Sequence, residues 1–256
     1  MLNQRIILAN TEVDNLDMNG AVQAVDELIM QHKKAYVVTP NVDHLVRLEK
    51  DSEFRKIYAD ADLILTDGQP LVWLSQIYGH PVKEKVSGSD LFPHVCQLAA
   101  EKGYSMYFFG AAEGVADKAA NILRKQYPGL RIVGTYSPPL GFDNNLTQLD
   151  DCLNRINACV PNILVLALGT PKQEKFIYRN REKMQFDVAL NIGATLDFVA
   201  GNVRRAPRWM SSCGLEWFYR IIQDPKRLAK RYLIDDMQIF KIAWKYRKKK
   251  NNSNKR

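Results

Sequence analysis

The chain has 256 residues, of which 46% are hydrophobic and 25% charged, so it has ample material for a buried core and the composition of a globular protein. No apolar stretch reaches the roughly 18 to 20 residues of a membrane-spanning helix, and we expect no secretory signal, because Glu12 and Asp14 interrupt the N-terminal stretch. The net charge of +8 is uneven, since residues 202–256 carry 16 basic and 4 acidic side chains, whereas residues 1–201 carry 20 and 24.

Short apolar runs of strand length recur along the chain and alternate with helical patterns. Most are apolar at consecutive positions, which is typical of parallel strands covered on both faces. The runs are Arg5–Ala9, Ala35–Val38, Leu63–Thr66, Ser105–Phe109, Ile132–Tyr136, Ile163–Leu168 and Val188–Ile192. The helices are predicted at Asp17–Gln31, Val42–Ala59, Leu91–Lys102, Ala112–Gln126, Leu149–Cys159 and Pro171–Met184. This alternation predicts an α/β domain with a mainly parallel, doubly wound sheet.

Polar and small residues follow five of these strands at the point where each strand ends. The segments are Thr39–Asn41, Thr66–Pro70, Gly110–Gly114, Gly169–Gln173 and Gly193–Asp197. Because ligands of open α/β sheets bind beyond the carboxyl ends of the strands, these segments predict a cleft along one edge of the sheet.

Asp67 and Gly110 lie in two of these segments, and each allows two interpretations. Asp67 precedes Gly68 and so fits a common Asp-Gly turn, but at a cleft edge its carboxylate could act as a general base. Gly110 lies between a strand and a helix, where backbone amides can hold a diphosphate, although an ordinary turn there needs glycine too. Neither GxGxxG nor GxxxxGK[ST] is matched, so the dehydrogenase and P-loop interpretations lose their best motif.

We expect neither a metal site nor a disulfide framework. The cysteines, Cys96, Cys152, Cys159 and Cys213, include no CxxC pair, and the histidines have neither HxxxH nor HExxH spacing. His44 is expected to be a helix-surface or packing residue. Asp60-Ala61-Asp62 resembles the DxD motif of metal-dependent sugar transferases, but it precedes its strand and so should lie at the opposite end of the sheet.

The C-terminal segment combines basic charge with aromatic residues. Gly214–Ile222 predicts a helix that Asp224-Pro225 ends, because a proline disfavours helix at the residue before it. Four basic side chains then share one side of the next helix, namely Lys226, Arg227, Lys230 and Arg231. This pattern is typical of a membrane-surface segment, but the aromatic residues could equally dock on the α/β body while the charges face water. The charge itself predicts a polyanionic partner, which could be nucleic acid, anionic lipid or a phosphorylated substrate.

Several ordered motifs between about residues 5 and 233 resemble those of a known family. They read VVTPNVDHL, ADLILTDGQPLVW, KVSGSDLF, YFFGAAEGVADKA, LVLALGTPKQEKFI, NIGATLDFVAG and RRAPRWMSSCGLEWFYRIIQDPKRLAKRYL. Together they are similar to the WecG/TagA/CpsF glycosyltransferases, family 26 of that classification. The resemblance implies a Rossmann-like α/β fold with helices on both faces of the sheet. It also implies a helical, basic C-terminal appendage that engages the membrane and helps complete the active site.

The resemblance further implies an inverting transfer, and because the sequence offers no credible metal site we expect the transfer to be metal-independent. Family members move a sugar, N-acetylmannosamine or its uronic acid in the best-known cases, from a UDP-sugar to a polyprenyl-diphosphate-linked saccharide. Their products feed teichoic acid or other surface polysaccharides. The expected partners are therefore a UDP-sugar donor, a polyprenyl-diphosphate acceptor and an anionic membrane surface on the cytoplasmic side. No cofactor and no nucleic acid are expected, and a homo-oligomer is left open.

The family motifs also assign roles to individual residues of this chain. The aspartate of the D-G motif falls on Asp67, the expected catalytic base. The substrate-binding residues are expected to be Thr39, Asn41, Gln69, Lys85, Gly110, Gln173, Arg220, Arg227 and Lys230. Lys85 departs from the family pattern, which has arginine there; lysine keeps the charge but loses the bidentate fork.

These observations divide the chain into a catalytic α/β domain at 1–201, an appendage at 202–247 and a disordered basic tail at 248–256. Two other functional classes of protein are left open by the sequence. A nucleic-acid-binding protein could use the basic segment, although no RRM, helix-turn-helix or zinc-finger signature is present. A soluble nucleotide-sugar or dinucleotide-binding enzyme would need no basic, aromatic appendage.

Overall fold

A six-stranded parallel sheet forms the centre of the molecule. The computed structural model describes residues 5–253, without the side chains of Arg208, Ser212, Arg227 and residues 248–253. The strands are β1 Arg5–Leu8, β2 Thr11–Asp14, β3 Ala35–Val38, β4 Leu63–Ile64, β5 Ser105–Gly110, β6 Arg131–Tyr136, β7 Ile163–Ala167 and β8 Val188–Asn191. The strand order in the sheet is β4-β3-β8-β7-β5-β6, and every neighbouring pair is parallel. The predicted parallel α/β fold is confirmed.

Helices cover both faces of this sheet. Those of the body are α1 Met18–Gln31, α2 Val42–Lys50, α3 Ser52–Asp60, α4 Gln69–Ile77, α5 Gly88–Lys102, α6 Val115–Gln126, α7 Leu146–Cys159, α8 Lys172–Asn180 and α9 Thr195–Val199. One core cluster joins α2, α3, α4, α7 and α8 to one face, and a second joins α1, α5, α6 and α9 to the other. Alternate strand residues enter the two clusters: Tyr36 and Val38 belong to the first, and Ala35 and Val37 to the second. Burial on both faces explains the continuous apolar runs.

The first predicted strand lies outside the central sheet, which corrects the sequence-based picture. β1 pairs with β2 as an antiparallel hairpin, because the chain reverses at Ala9, whose φ is 56°. Asp14 fixes this hairpin to the sheet edge by accepting a 2.8 Å hydrogen bond from the backbone N–H of Ile64. Isolated apolar patterning does not distinguish such a hairpin strand from a sheet strand.

The structure also differs from the predicted helices. The single helix expected over 42–59 is two helices, because Asp51 ends α2 and its side chain caps α3 by accepting from the backbone N–H groups of Glu53 and Phe54. The helix α4 was not predicted; it begins within the loop expected at Thr66–Pro70, with Pro70 in its first turn. Both changes affect elements beside the predicted cleft.

Four further α-helices lie in the described part of the C-terminal appendage. They are α10 Arg208–Ser212, α11 Glu216–Gln223, α12 Pro225–Lys230 and α13 Ile239–Ser253. α13 docks on the body, where Lys245 and Tyr246 contact the Glu49 carboxylate at 2.5 and 2.8 Å. None of the described helices is both long and apolar enough to cross a membrane. The predicted disorder of 248–256 stays a prediction: the helical backbone continues to Ser253, while the side chains of 248–253 and residues 254–256 lie outside the described part.

Candidate active site

A cavity of about 480 Å³ lies where the carboxyl ends of β3 and β4 meet the appendage. The body contributes its polar lining with Asn41, Asp67, Gln69 and Lys85, and the appendage adds Glu216, Arg220, Arg231 and Asp236. The remaining wall is mostly apolar and includes Trp73, Leu74, Ile77, Trp217, Tyr232, Leu233, Met237, Ile239, Phe240 and Ala243. The lining therefore combines several charged side chains with a larger number of apolar ones.

Asp67 lines the cavity and is close enough to Glu216, Lys85 and Arg220 for their charges to act on it. It follows β4, and its backbone N–H donates to the carbonyl of Pro40, which ties the ends of two neighbouring strands together at 2.9 Å. Gly68 has a φ of 97°, a conformation that favours glycine, and it turns the chain straight into α4. Burial, with the negative charge of Glu216, raises the pKa of Asp67 to about 6 against the opposing charges of Lys85, Arg220 and His44. A carboxylate with such a pKa can accept a proton near neutral pH.

Lys85 adds a positive charge that acts on Asp67, and it is held by its own neighbours. Its Nζ donates to Asp90 at 2.8 Å, and Asp90 also accepts from Ser87 at 2.6 Å and from Arg205 of the appendage. Burial alone would lower the pKa of Lys85, but the hydrogen bond and charge of Asp90 outweigh it and raise the pKa above its ordinary value. Lys85 is thus a fixed, fully charged cation.

Arg220 and Arg231 bring two further cations from the appendage. Arg220 donates to Glu216, one helical turn earlier, at 2.6 Å, and its guanidinium lies 5.5 Å from the ring of Phe198. Arg231 is less firmly engaged: its ion-pair distances to Asp43 and Asp236 are 3.7 and 3.9 Å. Its buried Nε has no hydrogen-bond partner among the described residues.

Five of the sequence-predicted site residues line this cavity, namely Asn41, Asp67, Gln69, Lys85 and Arg220. The structure does not bring Thr39, Gly110, Gln173 or Lys230 into the lining. A Cβ on Gly110 would lie 2.6 Å from the backbone of Ala167, so close strand packing already explains this glycine. Lys230 is exposed, and the side chain of Arg227 lies outside the described residues. The binding roles of these positions stay predictions.

Gln173 is buried and is not part of the cavity lining. Only 4% of the residue is exposed, its Oε1 accepts from the backbone N–H of Gly193 at 3.1 Å, and its Nε2 donates to Glu174 at 3.0 Å. Both ends of the amide are therefore used by the protein itself. This geometry gives Gln173 a structural explanation that the loop motif alone did not indicate.

Sequence reasoning missed Glu216, Arg231 and the environment of His44. Glu216 falls one turn before Arg220, and this i, i+4 spacing of opposite charges was a usable signal. Arg231 was noted only as part of a basic cluster, because the π-helical turn at Arg231–Asp235 that presents it has no clear sequence signature. The acidic Asp60–Asp62 motif behaves as predicted: it joins α3 to β4, and Asp62 accepts from the backbone N–H of Tyr36.

Comparisons with known proteins identify the family. The model of the glycosyl transferase WecG/TagA/CpsF family matches residues 6–253. The chain belongs to this glycosyltransferase family. It is 32% identical over 197 residues to an N-acetylglucosaminyldiphosphoundecaprenol N-acetyl-beta-D-mannosaminyltransferase of Bacillus spizizenii, covering 77% of this chain and 74% of the relative. A protein of the same name from Bacillus subtilis is 31% identical over 193 residues, covering 75% and 73%.

Family membership confirms the prediction that the chain is a glycosyltransferase. The match extends through the appendage to residue 253, so the elements on both sides of the cavity belong to the matched region. Within the described part of this glycosyltransferase, no group of three or more His, Cys, Asp or Glu side chains is placed to hold a metal ion. The cavity that contains Asp67 and the three cations is the candidate active site.

Proposed function

We propose that this glycosyltransferase transfers N-acetylmannosamine, or its uronic acid, from a UDP-sugar to a saccharide linked to polyprenyl diphosphate. The Bacillus relatives are named for transfer of N-acetylmannosamine to N-acetylglucosaminyldiphosphoundecaprenol. The product would feed the synthesis of teichoic acid or another surface polysaccharide. The observation that supports this assignment best is a cavity lined by a carboxylate of near-neutral pKa, three cations and many apolar side chains.

The proposed reaction is a single displacement with inversion at the anomeric carbon. Asp67 takes the proton of the acceptor hydroxyl while that oxygen forms a bond to the anomeric carbon. The bond between that carbon and the UDP oxygen breaks at the same time, and UDP leaves with the bonding electron pair. The pKa of about 6 supports this role, because the carboxylate is ionised at neutral pH yet still basic enough to accept a proton.

In this proposal, fixed positive charge stabilises the leaving diphosphate. Lys85, Arg220 and Arg231 line the same cavity as Asp67, and two of them come from the appendage. Oriented cations in a partly buried site stabilise developing negative charge without reorganising during the reaction. We propose that they supply the field that a divalent ion provides in metal-dependent transferases. Arg227 stays a predicted contributor, whereas Lys230 is exposed and outside the cavity lining and has no part in this proposal.

We also propose that the enzyme works at the inner face of the cell membrane. A lipid-linked acceptor has its diphosphate at the bilayer surface, and the appendage combines positive charge with exposed apolar side chains. Ile222, Ile234, Phe240 and Trp244 are each more than 60% exposed. Such side chains together with Lys and Arg bind the interface of anionic membranes.

A radiolabel transfer assay tests the proposed function. The purified enzyme is incubated with a synthetic polyprenyl-diphosphate N-acetylglucosamine acceptor, vesicles of anionic lipid and a panel of UDP-sugars, with and without EDTA. We expect transfer from UDP-N-acetylmannosamine or its uronic acid, undiminished by EDTA. Transfer from neither donor would refute the substrate assignment, and complete loss in EDTA would refute the role given to the three cations.

A further inference from the structure

The Asp90 carboxylate connects the cavity to a segment of the appendage that does not line it. Asp90 lies in the first turn of α5, and its backbone N–H donates to the Oγ of Ser87, the N-cap residue, at 3.1 Å. Its side chain accepts three hydrogen bonds. Lys85 Nζ and Ser87 Oγ donate to Oδ2 at 2.8 and 2.6 Å, and Arg205 Nη2 donates to Oδ1. Asp90 thus holds one cation on each of its oxygens.

Only one of these two cations belongs to the cavity lining. Lys85 lines the cavity, and it lies close enough to Asp67 for the two charges to act on each other. Arg205 lies outside the lining, in the loop between α9 and α10. The exposed fractions of the Lys85, Asp90 and Arg205 side chains are 21%, 27% and 37%. The two ion pairs are therefore partly shielded from water, which makes them stronger than pairs on the open surface.

The backbone and the side chain of Lys85 are fixed by different partners. Lys85 lies in a segment, 78–87, that belongs to neither a helix nor a strand. The next residue, Val86, donates its backbone N–H to the carbonyl of Thr66 at 2.9 Å, which ties the segment to the chain just after β4. The ammonium of a lysine is a mobile charge on a flexible chain unless a partner fixes it. Asp90 is the partner that fixes the ammonium of Lys85.

The number of cations on Asp90 determines how much positive charge Lys85 presents to an anion. Burial would raise the pKa of Asp90, but the bonds from Lys85, Ser87 and Arg205 lower it to about 2, so the carboxylate is ionised at neutral pH. A carboxylate paired with Lys85 alone would offset most of the charge of that lysine. Because Arg205 pairs with the other oxygen, the three charged side chains together carry one net positive charge.

We propose that Arg205 is a positioning residue that acts on the diphosphate of the UDP-sugar through Asp90 and Lys85. By pairing with one oxygen of Asp90, it keeps the other oxygen on Lys85 and offsets the charge of the carboxylate. Lys85 then presents a fixed net positive charge to the leaving diphosphate when this segment of the appendage is docked. The inference rests on the proposed function for the identity of the ligand.

Two neighbouring arginines provide the test and its matched control. We expect Arg205→Gln to lower kcat/KM for the UDP-sugar by about 5- to 20-fold, a typical coupling within one network of charges. Arg204 is also exposed and is not a partner of Asp90, so Arg204→Gln should stay within about 2-fold. Both variants remove one positive charge of the appendage, so they weaken attraction to anionic lipid equally. Arg205→Lys should recover most of the loss, because Asp90 accepts a single N–H of Arg205 and an ammonium can supply it.

A double-mutant cycle tests whether Arg205 acts through Lys85. In a Lys85→Gln background, we expect Arg205→Gln to lower kcat/KM by less than about 2-fold more, because the charge that it positions is already gone. In an Arg220→Gln background, Arg205→Gln should keep its full effect. Losses that multiply in the Lys85→Gln background would overturn the proposal, since Arg205 would then act by holding the appendage and its other arginines. Because Arg205 is exposed, we expect all of its variants to melt near the wild-type temperature.

Calorimetric binding of UDP and UMP gives a readout that does not depend on transfer. Asp67 and Lys85 act at the reacting end of the donor, so the phosphate near Lys85 is the one that UMP lacks. We expect Arg205→Gln to weaken UDP by about 5- to 20-fold and UMP by less than about 2-fold. Equal weakening of both nucleotides, or no weakening of UDP, would overturn the inference even if sugar is transferred. If the wild type transfers no sugar but binds UDP in this pattern, the proposed function fails and the role of Arg205 stands.

Discussion

Asp67 and Glu216 line the same cavity with like charges, and under the proposed mechanism we expect burial and this pairing to set the pH dependence of transfer. Burial and Glu216 raise the pKa of Asp67 to about 6, so its carboxyl group loses its proton as the pH rises through that value. A general base acts only when ionised, so we expect kcat/KM to rise with pH and to level off above about pH 6. Glu216→Gln removes a charge that raises this pKa and releases Arg220, whose charge lowers it. The rise should therefore move to lower pH.

Profiles of kcat/KM from about pH 4.5 to about pH 8 for the wild type and Glu216→Gln provide the measurement. Asp67→Asn is the control, since it removes the base while nearly preserving the shape of the side chain. We expect it to lose on the order of 10²- to 10⁴-fold in kcat/KM and to show no rise near pH 6. If kcat/KM rises at the same pH in Glu216→Gln as in the wild type, a group other than Asp67 controls the reaction.

The turn between α12 and α13 determines which basic side chain of the appendage faces the cavity. Arg231 lines the cavity, whereas the preceding Lys230 is exposed. We expect Arg231→Gln to lower kcat/KM for the UDP-sugar by roughly 10- to 100-fold, the cost of about 1.5 to 3 kcal/mol for a charged hydrogen bond. Lys230→Gln is the matched control and should stay within about 2-fold, since exposed charges contribute little. Both variants remove one positive charge, so they weaken attraction to anionic lipid equally.

Arg231 also contacts Asp43 and Asp236, so its loss could loosen the appendage. Arg231→Lys keeps the charge beside both carboxylates but loses the fork of the guanidinium. We expect it to melt near the wild-type temperature and still bind the UDP-sugar less tightly. Equal losses in Arg231→Gln and Lys230→Gln would contradict the geometry of this turn.

Among the strands and helices, those whose formation depends on a local sequence pattern can be predicted from the sequence. The sheet strands were recognisable because burial on both faces requires apolar side chains at consecutive positions. The break between α2 and α3 had a local signal, the capping residue Asp51 followed by Ser52, and α4 had one in Pro70 of its first turn. The hairpin of β1 had none, since its residues read like a sheet strand.

The candidate site was predictable where its residues follow strands or family motifs. Asp67 and Asn41 each come directly after a strand, and parallel strands bring their carboxyl ends to one edge. Arg231 and Glu216 lie on the appendage, and their position depends on how the appendage docks on the body. That docking is a tertiary property. No simple hydrophobic periodicity between residues 224 and 239 predicts it.

For the whole molecule, the apolar and basic surfaces of the appendage lead to a prediction about membrane binding. Ile234 is 62% exposed in the appendage, and Met30 is 56% exposed at the C-terminal end of α1, before β3 begins at the opposite end of the sheet. We expect Ile234→Ser to weaken binding to anionic vesicles by roughly 5- to 30-fold, which corresponds to about 1 to 2 kcal/mol for an isoleucine that inserts in the interface. Met30→Ser makes a similar change on a surface that we expect to face water, and should leave vesicle binding as it is.

Sedimentation with vesicles of defined composition measures this effect. Binding by the wild type should also weaken as salt rises, because screening reduces the attraction between basic side chains and anionic headgroups. Vesicles of neutral lipid separate apolar insertion from electrostatic attraction. The enzyme should bind them weakly, and Ile234→Ser should weaken that binding further. If Met30→Ser and Ile234→Ser weaken binding equally, the appendage is not the membrane-facing surface. Its basic charge would then serve the cavity alone, through Arg220 and Arg231.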